Sequence, residues 1–355
     1  MTYRTFKIIS GIRGIRIFEK YLILGHTNME ISVNNQTIAT NVDTSTFSLV
    51  VFDACLFFDI EDKKFSFDFS SNTLNEWLDI RPYFFFVQDK KVLCTKNARI
   101  ENGNFVWDTV LFDYSKSEVI SNYAKLSNVS VAFAKDTNLV ICYLKTCGLT
   151  KFSLRTGNYE WELDLGGYKY LRHGREEEGK IDKIIGLWEH QLLVAMSDEE
   201  LVSVDIHTGK VLWKTSNFNN TYLPDWRNRS MFRMSYWLIE AGKLYQLDGN
   251  VYYSVDLETQ QFDLLWHNAN DENELTIVHK TYTEDYIYFT GAYHYQLSPN
   301  LVGVFNRKTL TIDWITAVEN LTGSLNQPPQ VADDKLYVLD TGGTLHIFAR
   351  EEKET

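Results

Sequence analysis

The sequence is poor in the features that mark most enzyme and membrane classes. Its 355 residues include 5 prolines and 4 cysteines. So few prolines leave almost every backbone N–H able to join a ladder, which suits long runs of strand. The cysteines are Cys55, Cys94, Cys142 and Cys147, and no histidine stands near them at ligand spacing, which argues against zinc. Four buried thiols of a reducing compartment are expected, with Cys142 and Cys147 able to face each other across a hairpin. No apolar run approaches the roughly 18 residues of a membrane-spanning helix. The N-terminal stretch MTYRTFKIISGIRGIRIFEK alternates apolar with charged residues instead of showing a secretory apolar block, so a cytoplasmic location is expected. Basic charge is also short: 35 Lys and Arg stand against 47 Asp and Glu, a formal net of −12. Nucleic acids and anionic membrane surfaces both need a basic field, so neither is an expected partner.

Signatures of particular chemistries are missing too. The sequence has no Gly-x-x-x-x-Gly-Lys-Ser/Thr, no Gly-x-Ser-x-Gly and no His-Glu-x-x-His. Asp340-Thr341-Gly342 spells the aspartic-protease triplet, but that chemistry needs a second carboxylate from a second copy, and none occurs. Asp59, Glu61 and Asp62 alternate like a calcium loop without its Gly and closing Glu, so they are read as a solvated turn. No cofactor and no metal is expected.

Aromatic residues are plentiful, with 20 Tyr, 22 Phe and 9 Trp. Such residues fit a pleated, half-buried surface, and they recur in register. Asp205–Trp213 (DIHTGKVLW) has an apolar strand before it, a polar turn inside it and a short strand ending in Trp. Ser153–Trp161 (SLRTGNYEW), Arg99–Trp107 (RIENGNFVW), Asp59–Phe67 (DIEDKKFSF), Asp256–Trp266 (DLETQQFDLLW) and Phe305–Trp314 (FNRKTLTIDW) follow the same plan. The last copy, KLYVLDTGGTLHIFAREE, lacks its final strand. Three strands joined by tight turns, plus a fourth between anchors, make one four-stranded antiparallel blade per period. The fold expected is therefore an all-β propeller over residues 1–355 as a single domain. Seven blades are the first expectation and eight the alternative, the eighth coming from residues 11–45. The N-terminal TFKIIS can supply the missing strand of the C-terminal copy and so close the ring. Trp107, Trp161, Trp213, Trp266 and Trp314 are assigned to the seams between blades.

The pattern D-x-x-T-G-x-x-x-W resembles the quinoprotein-type (PQQ-like) β-propeller repeat over roughly residues 50–350. Dehydrogenases of that family use a calcium ion, a catalytic Asp and often a vicinal Cys pair. This chain has no Cys-Cys pair and is shorter than those enzymes, so the resemblance implies a non-enzymatic member.

Three interruptions of the repeat are candidate binding segments. Residues 164–180 and 216–230 are long inter-blade connections, and 291–300 lengthens a turn within a blade. They carry Tyr168, Tyr170, Arg172, His173 and Arg175; Tyr222, Trp226, Arg227 and Arg229; and Tyr293, His294 and Tyr295. Arg, Tyr and Trp are enriched where binding energy concentrates. Consecutive repeats place the first two segments side by side on one face. The expected function is a non-enzymatic scaffold that presents this loop-rich face to a protein partner with an acidic patch. The alternatives are a carbohydrate or small-ligand binder, including a hydrolase, and a cytosolic neutraliser of a toxin or effector. The bland alternative is that the aromatics pin the loops and Glu176, Glu177 and Glu178 neutralise the arginines.

Overall fold

The computed structural model describes residues 2–351, apart from 43–48, 53, 61–62, 78–79, 103, 127–128, 137–138, 144–146, 168, 173–174, 198–199, 216–236, 250, 269–274 and 294–297. Among the described residues, strands form eight four-stranded antiparallel sheets and one separate two-stranded hairpin. The fold is an eight-bladed β-propeller. Blade 1 spans 12–40, blade 2 50–77, blade 3 80–122, blade 4 130–164, blade 5 181–215, blade 6 238–267, blade 7 276–317 and blade 8 330–350. The chain forms two compact units, one of residues 1–75 and 234–355, the other of residues 76–233. No helix among the described residues is long and apolar enough to cross a membrane.

Blade 8 has three strands of its own, and its fourth is Tyr3–Ser10, antiparallel to Thr344–Arg350. The expected pairing of the chain's two ends is therefore present. The count is eight rather than seven because residues 12–40 build a complete blade from Ile12–Phe18, Tyr21–His26, Glu30–Val33 and Gln36–Thr40. Its last turn is made by Asn34 and Asn35, both at positive φ, so it carries neither the Asp nor the Gly that marks the repeat.

Two copies of the repeat sit one strand away from their expected register. Arg99–Trp107 spans the tip between Lys91–Glu101 and Asn104–Asp113, the second and third strands of blade 3. The segment from Asp59 likewise joins Cys55–Ile60 to Lys63–Asp68, again second to third. In blade 5, by contrast, Asp205–Trp213 joins the third strand to the fourth. The true counterparts are the turns that start at Asp68 and Asp113. Asp68 Oδ1 accepts from the amides of Ser70 and Ser71 (2.7 and 3.0 Å), and Asp113 Oδ1 from those of Ser115 and Lys116 (3.0 and 3.2 Å). Asp205 does the same for His207 and Thr208, Asp256 for Glu258 and Thr259, and Asn306 for Lys308 and Thr309. The recurring Asp thus closes the turn through its own side chain, which is why Asn can replace it.

The seam assignment of the tryptophans is observed directly at three positions. Trp161 of blade 4 donates through Nε1 to the Ile206 carbonyl of blade 5 (3.0 Å) and joins the apolar cluster between those blades. Trp266 packs edge-on to Phe305 of blade 7, with ring centres 5.0 Å apart. Trp314 meets Phe348 and Tyr3 of blade 8 at 5.7 and 5.2 Å. Trp213 is held within its own blade, donating to Gln191 Oε1 at 2.9 Å. Trp107, half-buried, lies on the third strand of blade 3 instead of the fourth.

Cys55, Cys94 and Cys142 are buried, and Cys147 is half-buried instead of buried. Cys142 does not face Cys147. Its ladder partner is Thr150, because Cys147 precedes the strand Gly148–Ser153 and falls outside the pairing. Burial pushes the Cys142 thiol up to about 12, which keeps it protonated and unreactive.

Candidate functional site

The connection 164–180 folds as a two-stranded hairpin between blades 4 and 5, Lys169–Arg172 paired with Arg175–Glu178. Its cross-strand partners are Lys169 with Glu178, Tyr170 with Glu177, Leu171 with Glu176 and Arg172 with Arg175. Arg175–Glu178 is exposed along its whole length. Lys169 Nζ reaches Glu176 at 2.6 Å with both side chains 60% exposed, so the pair adds little to stability. Tyr170 is half-buried, and its hydroxyl lies 3.0 Å from both Glu177 Oε2 and the Ser197 carbonyl of blade 5. Tyr170 therefore anchors the hairpin, while Arg172 and Arg175 close its tip. Arg172 and Arg175 are the last backbone pair of its register.

Of the other sequence-derived candidates, Tyr293 packs against the apolar cluster between blades 6 and 7. It belongs to the seam. Tyr168, His173, Tyr222, Trp226, Arg227, Arg229, His294 and Tyr295 lie outside the described residues.

The second feature was only partly visible in the sequence. The turn Asp340–Gly343 joins the second and third strands of blade 8 and is tied to the link that enters that blade. Asp340, fully buried, accepts from the amides of Thr322 (2.8 Å) and Thr344 (2.9 Å) and from Thr322 Oγ1 (3.1 Å). His346 Nε2, also buried, lies 3.4 Å from the same carboxylate. Burial works against the charge, yet the bonds from Thr344, Thr322 and His346 outweigh it and hold the Asp340 carboxyl below its ordinary range. Thr341 adds two bonds, its amide donating to the Ser324 carbonyl (3.0 Å) and its Oγ1 accepting from the Ser324 amide (2.9 Å). Gly323 and Gly342 approach so closely that a Cβ on either would collide with the opposite strand of this knot. The Asp-Thr-Gly triplet is a structural fastening.

This fastening forms one wall of an open cleft of about 440 Å³. The remaining wall comes from Ile12 and Arg13 at the start of blade 1, Thr27 in its second turn, and Asn326 and Gln327 in the link to blade 8. Sequence reasoning missed Arg13, Thr27, Asn326 and Gln327. Among the described residues no group of three or more His, Cys, Asp or Glu side chains is placed to hold a metal ion.

No protein-family model and no curated protein matches the chain. Solved structures do match its fold. The C-terminal WD40 domain of Sif2 superposes with a TM-score of 0.59 at 10% identity, covering 99% of each chain. The computationally designed Ika8 protein gives 0.58 at 12% identity over 96% of each chain. BamB from Moraxella catarrhalis gives 0.51 at 12% identity over the full length of both. At such identities the likeness is one of architecture, and the chain shares the β-propeller fold with all three.

Proposed function

We propose that this chain is a non-enzymatic, PQQ-like binding propeller that engages a protein partner through its inter-blade insertions. The observation that carries the reading is the hairpin of Lys169–Arg172 and Arg175–Glu178. It stands outside the four-stranded plan of every blade, is fastened to blade 5 by Tyr170, and carries Arg172 and Arg175 as its last register pair. Two arginines so close in the chain suit an acidic group on a partner, and Arg is well adapted to bidentate recognition of a carboxylate. The sequence adds Arg227 and Arg229 with Tyr222 and Trp226 in the next insertion, a composition that suits the same use.

The test compares the unaltered chain with Arg172→Glu/Arg175→Glu and with Arg227→Glu/Arg229→Glu as immobilised baits in native cell lysate. Each pair of changes is expected to reduce recovery of a stoichiometric partner while leaving the melting temperature unchanged. Equal recovery by both variants and the unaltered chain would remove the insertions as the binding surface.

A further inference from the structure

We propose that copies of this chain associate head to tail, the strand Tyr3–Ser10 of one copy adding to the edge of Asn158–Asp164 in the next. This goes beyond the partner-binding reading and involves none of its residues. Each of these strands is the fourth of its blade and ends its sheet, so among the described residues neither has a strand on its other side. Their charges are opposite. Tyr3–Ser10 carries Arg4 and Lys7 and no acid, whereas Asn158–Asp164 carries Glu160, Glu162 and Asp164 and no base. The other six fourth strands hold at most one Asp, Glu, Lys or Arg apiece. Arg4 to Ile8 are exposed without interruption, and Phe6, large and apolar, is 58% exposed. Lys151 pairs with Glu160 at 2.8 Å and the Gly166 amide donates to Asp164 at 2.9 Å. Glu162 is exposed and forms no ion pair among the described residues; nor do Arg4 and Lys7.

Charged residues on an open edge keep it from pairing with its own kind. Two copies of Tyr3–Ser10 would set positive strand against positive strand, and two of Asn158–Asp164 negative against negative. That guard is absent against the opposite edge, where the charges attract and the backbone ladder can continue from one copy into the next. Each strand bulges once, at Phe6 and at Glu160, and then runs regularly for four residues, Lys7–Ser10 and Trp161–Asp164. Lys7 and Glu162 both lie in these regular runs. At about 0.1 M salt the screening length is about 10 Å, so the net charge of −12 on each copy is largely screened while charges that meet across the strands are not. One strand pair buries less than the roughly 1,200 Å² of a lasting interface, so the association is weak: monomer at about 5 µM, oligomer toward about 500 µM.

Sedimentation velocity of the full chain from about 5 to about 500 µM tests the proposal. The sedimentation coefficient of the unaltered chain is expected to rise across that range. Arg4→Glu/Lys7→Glu leaves the acidic strand intact, and Glu162→Lys leaves the basic strand intact; each should weaken association at least about tenfold. Mixed one to one, the two variants should associate again, because the basic strand of one meets the acidic strand of the other. A contact between two like edges would not be restored by mixing. Every substituted side chain is exposed, so melting temperatures should match the unaltered chain; Lys7→Gln and Glu162→Gln, with smaller losses, replace any variant that does not fold. The proposal is overturned by a constant sedimentation coefficient for the unaltered chain, by association that persists in both folded variants, or by a mixture that stays monomeric.

Discussion

Gly209 of blade 5 lies directly against the indole of Trp161 of blade 4: a Cβ on Gly209 would fall 2.6 Å from Trp161 Cδ2. The Thr-Gly of one repeat and the Trp of the preceding repeat are thus parts of one contact, not two separate ornaments. Gly209 also has φ +70°, so an L side chain there is strained as well as crowded. Gly157, in the same turn of blade 4, has φ +69° but open space where its Cβ would be. Gly209→Ala should therefore cost about 2–4 kcal/mol, combining backbone strain with overpacking, and Gly157→Ala about 1 kcal/mol from strain alone. Thermal melting of the full chain checks the order: Gly209→Ala lowest, Gly157→Ala between, unaltered chain highest.

The turn carboxylates set an acid limit to stability. Asp205 is half-buried, which raises its carboxyl, but the bonds from Thr208 and His207 outweigh that and hold it below the ordinary range. Asp113 behaves likewise through Ser115 and Lys116, and Asp340 through Thr344 and Thr322. With folded-state values depressed, the unfolded chain binds protons first as pH falls. The stabilisation is complete above the unfolded value of about 3.9 and is lost as pH drops through the lower folded values. Melting temperature should fall steeply below about pH 4. Asp205→Ala should cost about 1 kcal/mol at neutral pH, the scale of a lost side-chain cap. Asp205→Asn should keep the turn, as Asn306 does in blade 7, and reduce the acid-side slope.

Arg307 clamps blade 7 to blade 6. With its side chain 8% exposed, it donates to Tyr252 Oη (3.1 Å), to the carbonyls of Thr283 (3.0 Å) and Glu284 (2.7 Å), and to Glu240. Its guanidinium also stands over the Tyr245 ring, 5.3 Å from the centre. Arg307→Ala leaves the hydroxyl of buried Tyr252 without this donor and should cost about 1–3 kcal/mol. Arg307→Lys should recover only part of that, since one ammonium cannot span four acceptors in different directions. Equal melting temperatures for the lysine variant and the unaltered chain would contradict this account of the clamp.

How far the sequence discloses this molecule can be followed residue by residue. Trp161, Trp266 and Trp314 recur in register because each fills the seam to the following blade, and that regularity survives in the sequence. The register of blades 2 and 3 does not. Asn102-Gly103 matches the expected turn chemistry better than Asp113–Lys116, which has no Gly and no following Trp, yet the latter occupies the equivalent place. Any tight turn between antiparallel strands rewards the same residues, so turn chemistry alone cannot say which turn of a blade it marks. Blade 1 is legible only as the alternative count of eight, because Asn34 and Asn35 adopt positive φ in its last turn without the Asp or Gly of the repeat. At the candidate sites, Arg172 and Arg175 were visible as part of a long insertion, but its Glu176–Glu178 run lacks the apolar alternation that announces a strand. The cleft was not legible at all. Arg13 and Asn326 are over three hundred residues apart in sequence, and only the pairing of the chain's two ends brings them together.

That pairing makes the N-terminal strand the most revealing segment to remove. Tyr3–Ser10 covers the hydrogen-bonding edge of Thr344–Arg350, and Tyr3 is buried against Trp314. Deleting residues 2–10 removes both contributions at once. Losing the Tyr3 ring alone should cost about 3–5 kcal/mol, the usual range for an aromatic taken from a core. Tyr3→Ala measures that packing component while leaving the edge covered, so it should melt early yet remain monomeric. The deletion should melt still earlier and also self-associate, because the uncovered strand offers unpaired N–H and C=O groups to a second copy. Size-exclusion chromatography separates the two outcomes. A synthetic peptide of residues 2–11 added in trans should restore the monomer by filling the vacant position. A deletion variant that stays monomeric and melts with Tyr3→Ala would mean that the strand contributes packing alone and that its ladder bonds are dispensable.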